Sequence, residues 1–131
     1  MPDATARGRK EMQSNRAVGS EKEELACDYL EQHGYRVVDR NFHGGRFAEL
    51  DIVARDAEGY LCFVEVKYRR DWEHGGYEGA IDKKKIRNIC RCATYYMAGK
   101  HMMTDTPVRF DVVYIVGEEI TLVRNAFDYS V

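Results

Sequence analysis

Four ionisable side chains sit at two-residue steps inside two short apolar runs. Glu49 and Asp51 lie in Phe47–Arg55, and Glu65 and Lys67 lie in Tyr60–Arg69. The first run alternates and the second is rich in β-branched and aromatic residues, so both read as strands. Asp56-Ala-Glu-Gly59 between them is turn chemistry. Strand side chains alternate between faces. That places Phe47, Glu49, Asp51 and Val53 on one face, and Ala48, Leu50, Ile52 and Ala54 on the other. Leu61, Phe63, Glu65 and Lys67 likewise share a face. Three carboxylates and an ammonium in mid-sheet are costly if merely buried.

The pairing register decides whether they meet. If partner numbers sum to 116, Asp51 faces Glu65, Glu49 faces Lys67, and five residues connect the strands. An odd sum splits the acids across the sheet. Directly opposed Cβ atoms lie ~5 Å apart. Carboxylates that close raise a pKa or recruit a cation. Mg²⁺ and Mn²⁺ prefer such oxygen ligands. A lysine beside them can orient or help deprotonate a water, or neutralise charge developing on a phosphate. That chemistry suits hydrolysis of a phosphodiester. The same residues also fit a Glu49–Lys67 ion pair on a solvated face, with Asp51 as a polar strand end.

The other elements must position these strands. Residues 1–13 lack periodicity and read as a flexible tail, leaving 14–131 as a single domain. A helix is expected over 14–33, stopped by Gly34, then a strand over Tyr35–Phe42 and a flexible His43-Gly44-Gly45 connection. Residues 70–79 form a polar loop with three glycines, and a second helix runs from Asp82 to Ala98, closed by Gly99. Val108–Val116 and Ile120–Arg124 make a last strand pair, turned by Gly117-Glu118-Glu119. Helix, three strands, helix, two strands predicts an α/β or α+β sandwich with a mixed sheet.

Charge is unevenly spread although the net is only −2. Residues 17–66 hold five basic and eleven acidic side chains, and residues 67–109 hold ten basic and five acidic. An acidic stretch followed by a basic one suits metal ions and phosphates, and equally suits two solvated faces. On the second helix Ile86, Ile89, Cys90, Ala93, Tyr96 and Met97 form the core face. Lys83, Lys84, Arg87 and Arg91 form a basic stripe continued by Tyr95, with Lys85 off it. With Arg69 and Arg70 just beyond the candidate site, the stripe could follow a phosphate backbone without reading sequence, or be a solvated face. Trp72, His74 and Tyr77 could stack on nucleic acid or tuck onto the fold. Cys27, Cys62, Cys90 and Cys92 show no zinc-type spacing and read as buried thiols. No apolar run approaches the ~20 residues of a membrane span. The start of the chain has no apolar core of a secretory signal, so the cytoplasm is the expected location.

The segments Arg46–Asp56 and Phe63–Arg70 resemble the bacterial YraN family of predicted endonucleases. That family is similar to archaeal Holliday-junction resolvases within the PD-(D/E)XK, restriction-endonuclease-like superfamily. The resemblance runs from about Asn15 to Phe127. It includes Gly34-Tyr35, Arg40-Asn41-Phe42, the lysine-rich start of the second helix, Arg109–Val113 and Arg124–Phe127. It implies a restriction-endonuclease-like sandwich, a central mixed β-sheet flanked by helices. It also implies a Mg²⁺- or Mn²⁺-dependent endonuclease that cuts DNA, including branched DNA, by structure and leaves a 5′-phosphate and a 3′-hydroxyl. A homodimer fits that resemblance. Asp51 matches the metal-binding aspartate, Glu65 and Lys67 the (D/E)-x-K pair, and Glu23 the helix glutamate that often completes such sites. Glu49, typical of the family, would be a further acid near the metal or the partner of Lys67. Lys22 and Ala48 stand where glycines are expected, and Leu50 where the superfamily has proline. Lys22 places a cation beside the helix acid. The alternative function is a non-catalytic nucleic-acid-binding protein on the same scaffold.

Overall fold

The computed structural model describes residues 19–46, 49–70, 81–102 and 105–130. A helix, α1, covers residues 19–32. Strands β1 (Arg36–His43), β2 (Glu49–Arg55) and β3 (Leu61–Arg69) follow, then helix α2 (Lys83–Gly99) and strands β4 (Val108–Val116) and β5 (Glu119–Phe127). The order matches the sequence reading, but β1 takes in His43, expected in the flexible connection, where it pairs with Glu49, and the last strand is also longer than expected. Glu119 already belongs to β5, which continues three residues past Arg124 to Phe127.

Local chemistry accounts for the boundaries. Gly34, at φ 88°, takes the left-handed position after α1. Its N–H reaches the Glu31 carbonyl and the Tyr35 N–H reaches that of Leu30, a Schellman pattern that hands the chain to β1. Between β2 and β3 the Asp56 carboxylate accepts from the Glu58 and Tyr60 amides. The N-cap of α2 is Asp82, whose carboxylate accepts from the Lys85 amide at 2.8 Å. At the other end Gly99 is still helical, and His101, at φ 53°, supplies the left-handed residue.

The five strands lie side by side in chain order. Neighbours are antiparallel except β3 and β4, which run parallel because α2 carries the chain back between them. The sheet is covered on both faces. Ala26, Cys27 and Leu30 of α1 pack with Ile52, Ala54, Cys62, Val64, Val113 and Ile115. Ile89, Cys90, Ala93 and Tyr96 of α2 pack with Leu50, Val53, Leu61, Phe63 and Phe110. This is the mixed α/β sandwich expected. All four cysteines are buried thiols. The Cys92 thiol lies against Gly44, where an added Cβ would collide with it. No helix among the described residues is long and apolar enough to cross a membrane.

Two groups of family-like residues are structural. Asp111 is fully buried. It accepts from the Arg109 guanidinium (2.9 and 3.1 Å), the Tyr35 hydroxyl (2.8 Å) and the Asn125 amide (2.8 Å). Arg109 also grips Asp56 at 2.7 Å. This network ties β1, β4, β5 and the β2–β3 turn together at the start of β3, away from Glu65 and Lys67. No buried polar side-chain atom among the described residues lacks a partner.

Candidate metal centre and basic helix

The β2–β3 ladder pairs Arg55 with Leu61, Val53 with Phe63 and Ile52 with Val64, so partner numbers sum to 116. The five residues 56–60 make the connection. The backbone ladder ends at Ile52 and Val64, just before the acids. There the Asp51 carboxylate, rather than a backbone carbonyl, accepts the Val66 N–H at 2.9 Å. β3 continues alone against β4 as far as Arg69, while β2 stays with β1. The acids sit where the two strands fork.

The fork corrects the simple alternation expected of β2. Leu50 and Ile52 should share a face, yet Leu50 packs with α2 and Ile52 with α1. Their β1 partners split in the same way. Phe42, opposite Leu50, meets the rings of Tyr95 and Tyr96 on α2. Arg40 is opposite Ile52. Asn41 and Asp51 occupy the interval between these pairs, and Asn41 has φ 52°. One left-handed residue rotates the chain out of its two-residue period. Next to it on β2, Leu50 enters the α2 core and Glu49 lies near Glu23 of α1.

As a result, carboxylate oxygens of Glu23 on α1 and of Glu49 and Asp51 on β2 lie within 4.8 Å of one another. All three side chains are half-buried. The expected Glu49–Lys67 cross-strand pair does not form among the described residues. Glu65 lies on the other side of Asp51. It is buried and its carboxylate is 3.6 Å from Lys85 Nζ. Lys85, off the basic stripe in sequence, is therefore brought to the acids by the first turn of α2. The position-only pattern missed it because α2 is docked by its apolar side at an angle that sequence spacing does not record. Lys67 follows two residues after Glu65, half-buried and near enough to favour the ionised form of Glu65. Lys22 does not engage Glu23. Its ammonium sits 4.7 Å above the Tyr68 ring.

The electrostatics fit an oxygen-ligand cage that is short of positive charge. Burial pushes the Asp51 carboxyl up to about 8, and the nearby Glu65 charge adds to this. Burial also raises Glu65, while Lys85 and a hydrogen bond from Asp51 oppose it. Asp51 is thus the partner that holds a shared proton. Glu23 is raised as well, by burial and then by the Asp51 charge, against a hydrogen bond from the Asn41 side chain. Hard all-oxygen donors that suppress one another's ionisation are what a Mg²⁺- or Mn²⁺-sized cation relieves. Glu23, Glu49 and Asp51 could hold such an ion together, with Glu65 joining from β3.

The remaining basic residues lie on α2 and at the end of β3, and Lys83 and Arg87 line a surface groove with Phe127–Ser130. Lys83, Lys84 and Arg91 are exposed on α2, and Arg87 is half-buried. Tyr95 continues their side of the helix at 55% exposure. Arg69 ends β3 and the exposed Arg70 follows it. Trp72, His74 and Tyr77, and the tail 1–13, lie outside the described residues.

A family model described as "Uncharacterised protein family UPF0102" matches residues 22–115. A UPF0102 protein of Lachnoclostridium phytofermentans is 46% identical over 115 residues, spanning 88% of this chain and 96% of its own length. One from Persephonella marina is 41% identical over 110 residues, spanning 84% and 92%. One from Methylibium petroleiphilum is 40% identical over 124 residues, spanning 91% and 100%. The matched segment contains every acid of the fork and the whole of α2.

Proposed function

The chain belongs to the UPF0102 family, the YraN family its motifs resemble, and from that footing we propose that it is a metal-dependent endonuclease acting on DNA phosphodiesters. One observation carries the reading. Acids from α1 and β2 converge at the point where β2 and β3 part, with Glu65 and Lys67 beside them. A structural ion-pair network would alternate signs, as Arg109, Asp111 and Asp56 do. Here Glu23, Glu49 and Asp51 meet without an interposed cation among the described residues.

A bound Mg²⁺ or Mn²⁺ would supply Lewis acidity at a phosphate oxygen and lower the pKa of a water. The protein's residues do the rest. Glu23, Glu49, Asp51 and Glu65 provide the oxygen ligands. Asp51 must give up its proton to do so, and its hydrogen bond from Val66 holds it in place. Lys67 orients the attacking water and offsets charge on the phosphoryl oxygens. Water adds to phosphorus as the bond to the 3′ oxygen breaks, leaving a 5′-phosphate and a 3′-hydroxyl. Lys83, Lys84, Arg87 and Arg91 bind successive backbone phosphates, with Arg69 and Arg70 closer to the cut. The sequence carries no base-reading motif, so selection is by the shape of the DNA, branched forms included. A homodimer would set two such centres against two strands.

The test is cleavage of duplex, single-stranded and branched DNA in Mg²⁺ and in Mn²⁺, with Lys67→Ala alongside. Wild type is expected to cut. Lys67→Ala should lose about 10²-fold or more in rate while binding Mn²⁺ and DNA as wild type does. Binding without cleavage in either metal would reassign the protein to nucleic-acid binding alone.

A further inference from the structure

Asn41 has no place in the expected catalytic set, yet the geometry of the centre passes through it. It lies in mid-strand at φ 52°, a conformation that side chains with a Cβ rarely adopt. Asparagine tolerates that region better than most residues, and glycine better still. A strained backbone position persists where the surroundings hold it and often marks a functional site. Here two consequences follow from the one residue. At this position Leu50, with Phe42 opposite, packs on the α2 side while Ile52, with Arg40 opposite, packs on the α1 side, and Glu49 lies near Glu23 of α1. The side-chain amide then donates a hydrogen bond to the Glu23 carboxylate, the one cluster ligand that comes from a helix.

We infer that Asn41 is a positioning residue for the proposed metal centre, using its left-handed backbone to aim Glu49 and its amide to hold Glu23 beside Asp51. The inference rests on the proposed metal-binding reading and deepens it. The two jobs are separable. The conformation needs only a residue that accepts positive φ, whereas holding Glu23 needs the amide. Glycine in place of asparagine therefore keeps the strand inversion and removes the hydrogen bond. Alanine removes the hydrogen bond and also resists the backbone conformation.

The experiment titrates Mn²⁺ into the full chain, following free ion by electron paramagnetic resonance, for wild type, Asn41→Gly, Asn41→Ala, Glu23→Gln and the Asn41→Gly/Glu23→Gln double variant. Thermal unfolding without metal is recorded for each. Asn41→Gly is expected to unfold at or above the wild-type temperature and to bind Mn²⁺ about tenfold more weakly, the usual scale for losing a group that orients a metal ligand. In the Glu23→Gln background the same change should add little, because the two act through one ligand. Asn41→Ala should lose both stability and Mn²⁺ affinity. Wild-type affinity in Asn41→Gly, or an equal loss with and without Glu23, would overturn the role of Asn41 and leave the metal reading standing. A wild-type protein that binds no Mn²⁺ would overturn the metal reading, and this inference with it.

Discussion

Replacing Asp51 with asparagine should stabilise the metal-free protein while abolishing its response to metal. Asparagine has the same shape, and its Oδ1 can still accept the Val66 N–H that Asp51 holds at 2.9 Å. What disappears is a carboxyl that burial and Glu65 have carried from 3.8 to about 8. Each tenfold rise in proton affinity corresponds to ~1.36 kcal/mol, so the ceiling on the gain at alkaline pH is ~6 kcal/mol. The buried amide keeps part of the desolvation cost and Glu65 stays charged beside it, so we expect about 2 kcal/mol, or roughly 6–10 °C for a domain of this size. The sign depends on pH. Below ~4 both the folded and unfolded states carry the proton, and the substitution changes little. Between ~4 and ~8 the folded state retains a proton that the unfolded state has lost, so wild-type stability falls as pH rises and the advantage of the variant grows. Above that window the advantage is complete. The assay is thermal unfolding from pH 5 to 9 in chelator, repeated with Mn²⁺. Wild type should recover stability on adding the ion at pH 8, and the variant should not. A variant less stable than wild type at pH 8.5, or equally shifted at pH 5 and pH 8.5, would refute the argument that these acids repel one another in the fold.

Three further outcomes follow from the same geometry. Arg109→Met should cost about 3–5 kcal/mol in chemical unfolding, because it strands the fully buried Asp111 without its cation. Mn²⁺ affinity measured on the folded fraction should be unchanged, since the network lies at the far end of β3. Replacing Lys83 and Arg87 with alanine should weaken DNA binding and reduce the slope of log affinity against log salt by about 2, at ~0.9 per phosphate contact. A slope equal to that of wild type would remove α2 from the DNA path. Mn²⁺ binding to wild type should weaken as pH falls below about 8, because the ion must displace the proton that Asp51 retains. Affinity that is flat from pH 6 to 8.5 would place the bound ion elsewhere.

Signals that act over a few residues were readable without a fold. The Asp56–Gly59 turn, the Gly34 stop and the apolar face of α2 all rest on local hydrogen bonding or on period. The register of β2 and β3 stayed conditional in the sequence, and the structure selects the sum of 116. The parity reading of β2 failed at Leu50. It assumed an unbroken two-residue period, and nothing in the string marks Asn41 as left-handed rather than extended. The resemblance that pointed to Arg109–Val113 and Arg124–Phe127 carried no statement of role. The bonds from Arg109 and the Asn125 backbone N–H to the buried Asp111 make these residues a structural clamp.

The amino-acid order by itself therefore determined which acids and bases exist, which strands and helices carry them, and that an acid pair and a lysine share a hairpin. These follow from interactions between near neighbours in the chain. Only the tertiary structure decided that Glu23 and Glu49 join Asp51, that Lys85 rather than Lys22 meets an acid, and that Lys67 stands apart from Glu49. Each of those depends on how a helix docks across a sheet and on one rotated residue in β1. Contacts between residues so far apart in the chain are set by packing the two cores, which no local pattern encodes.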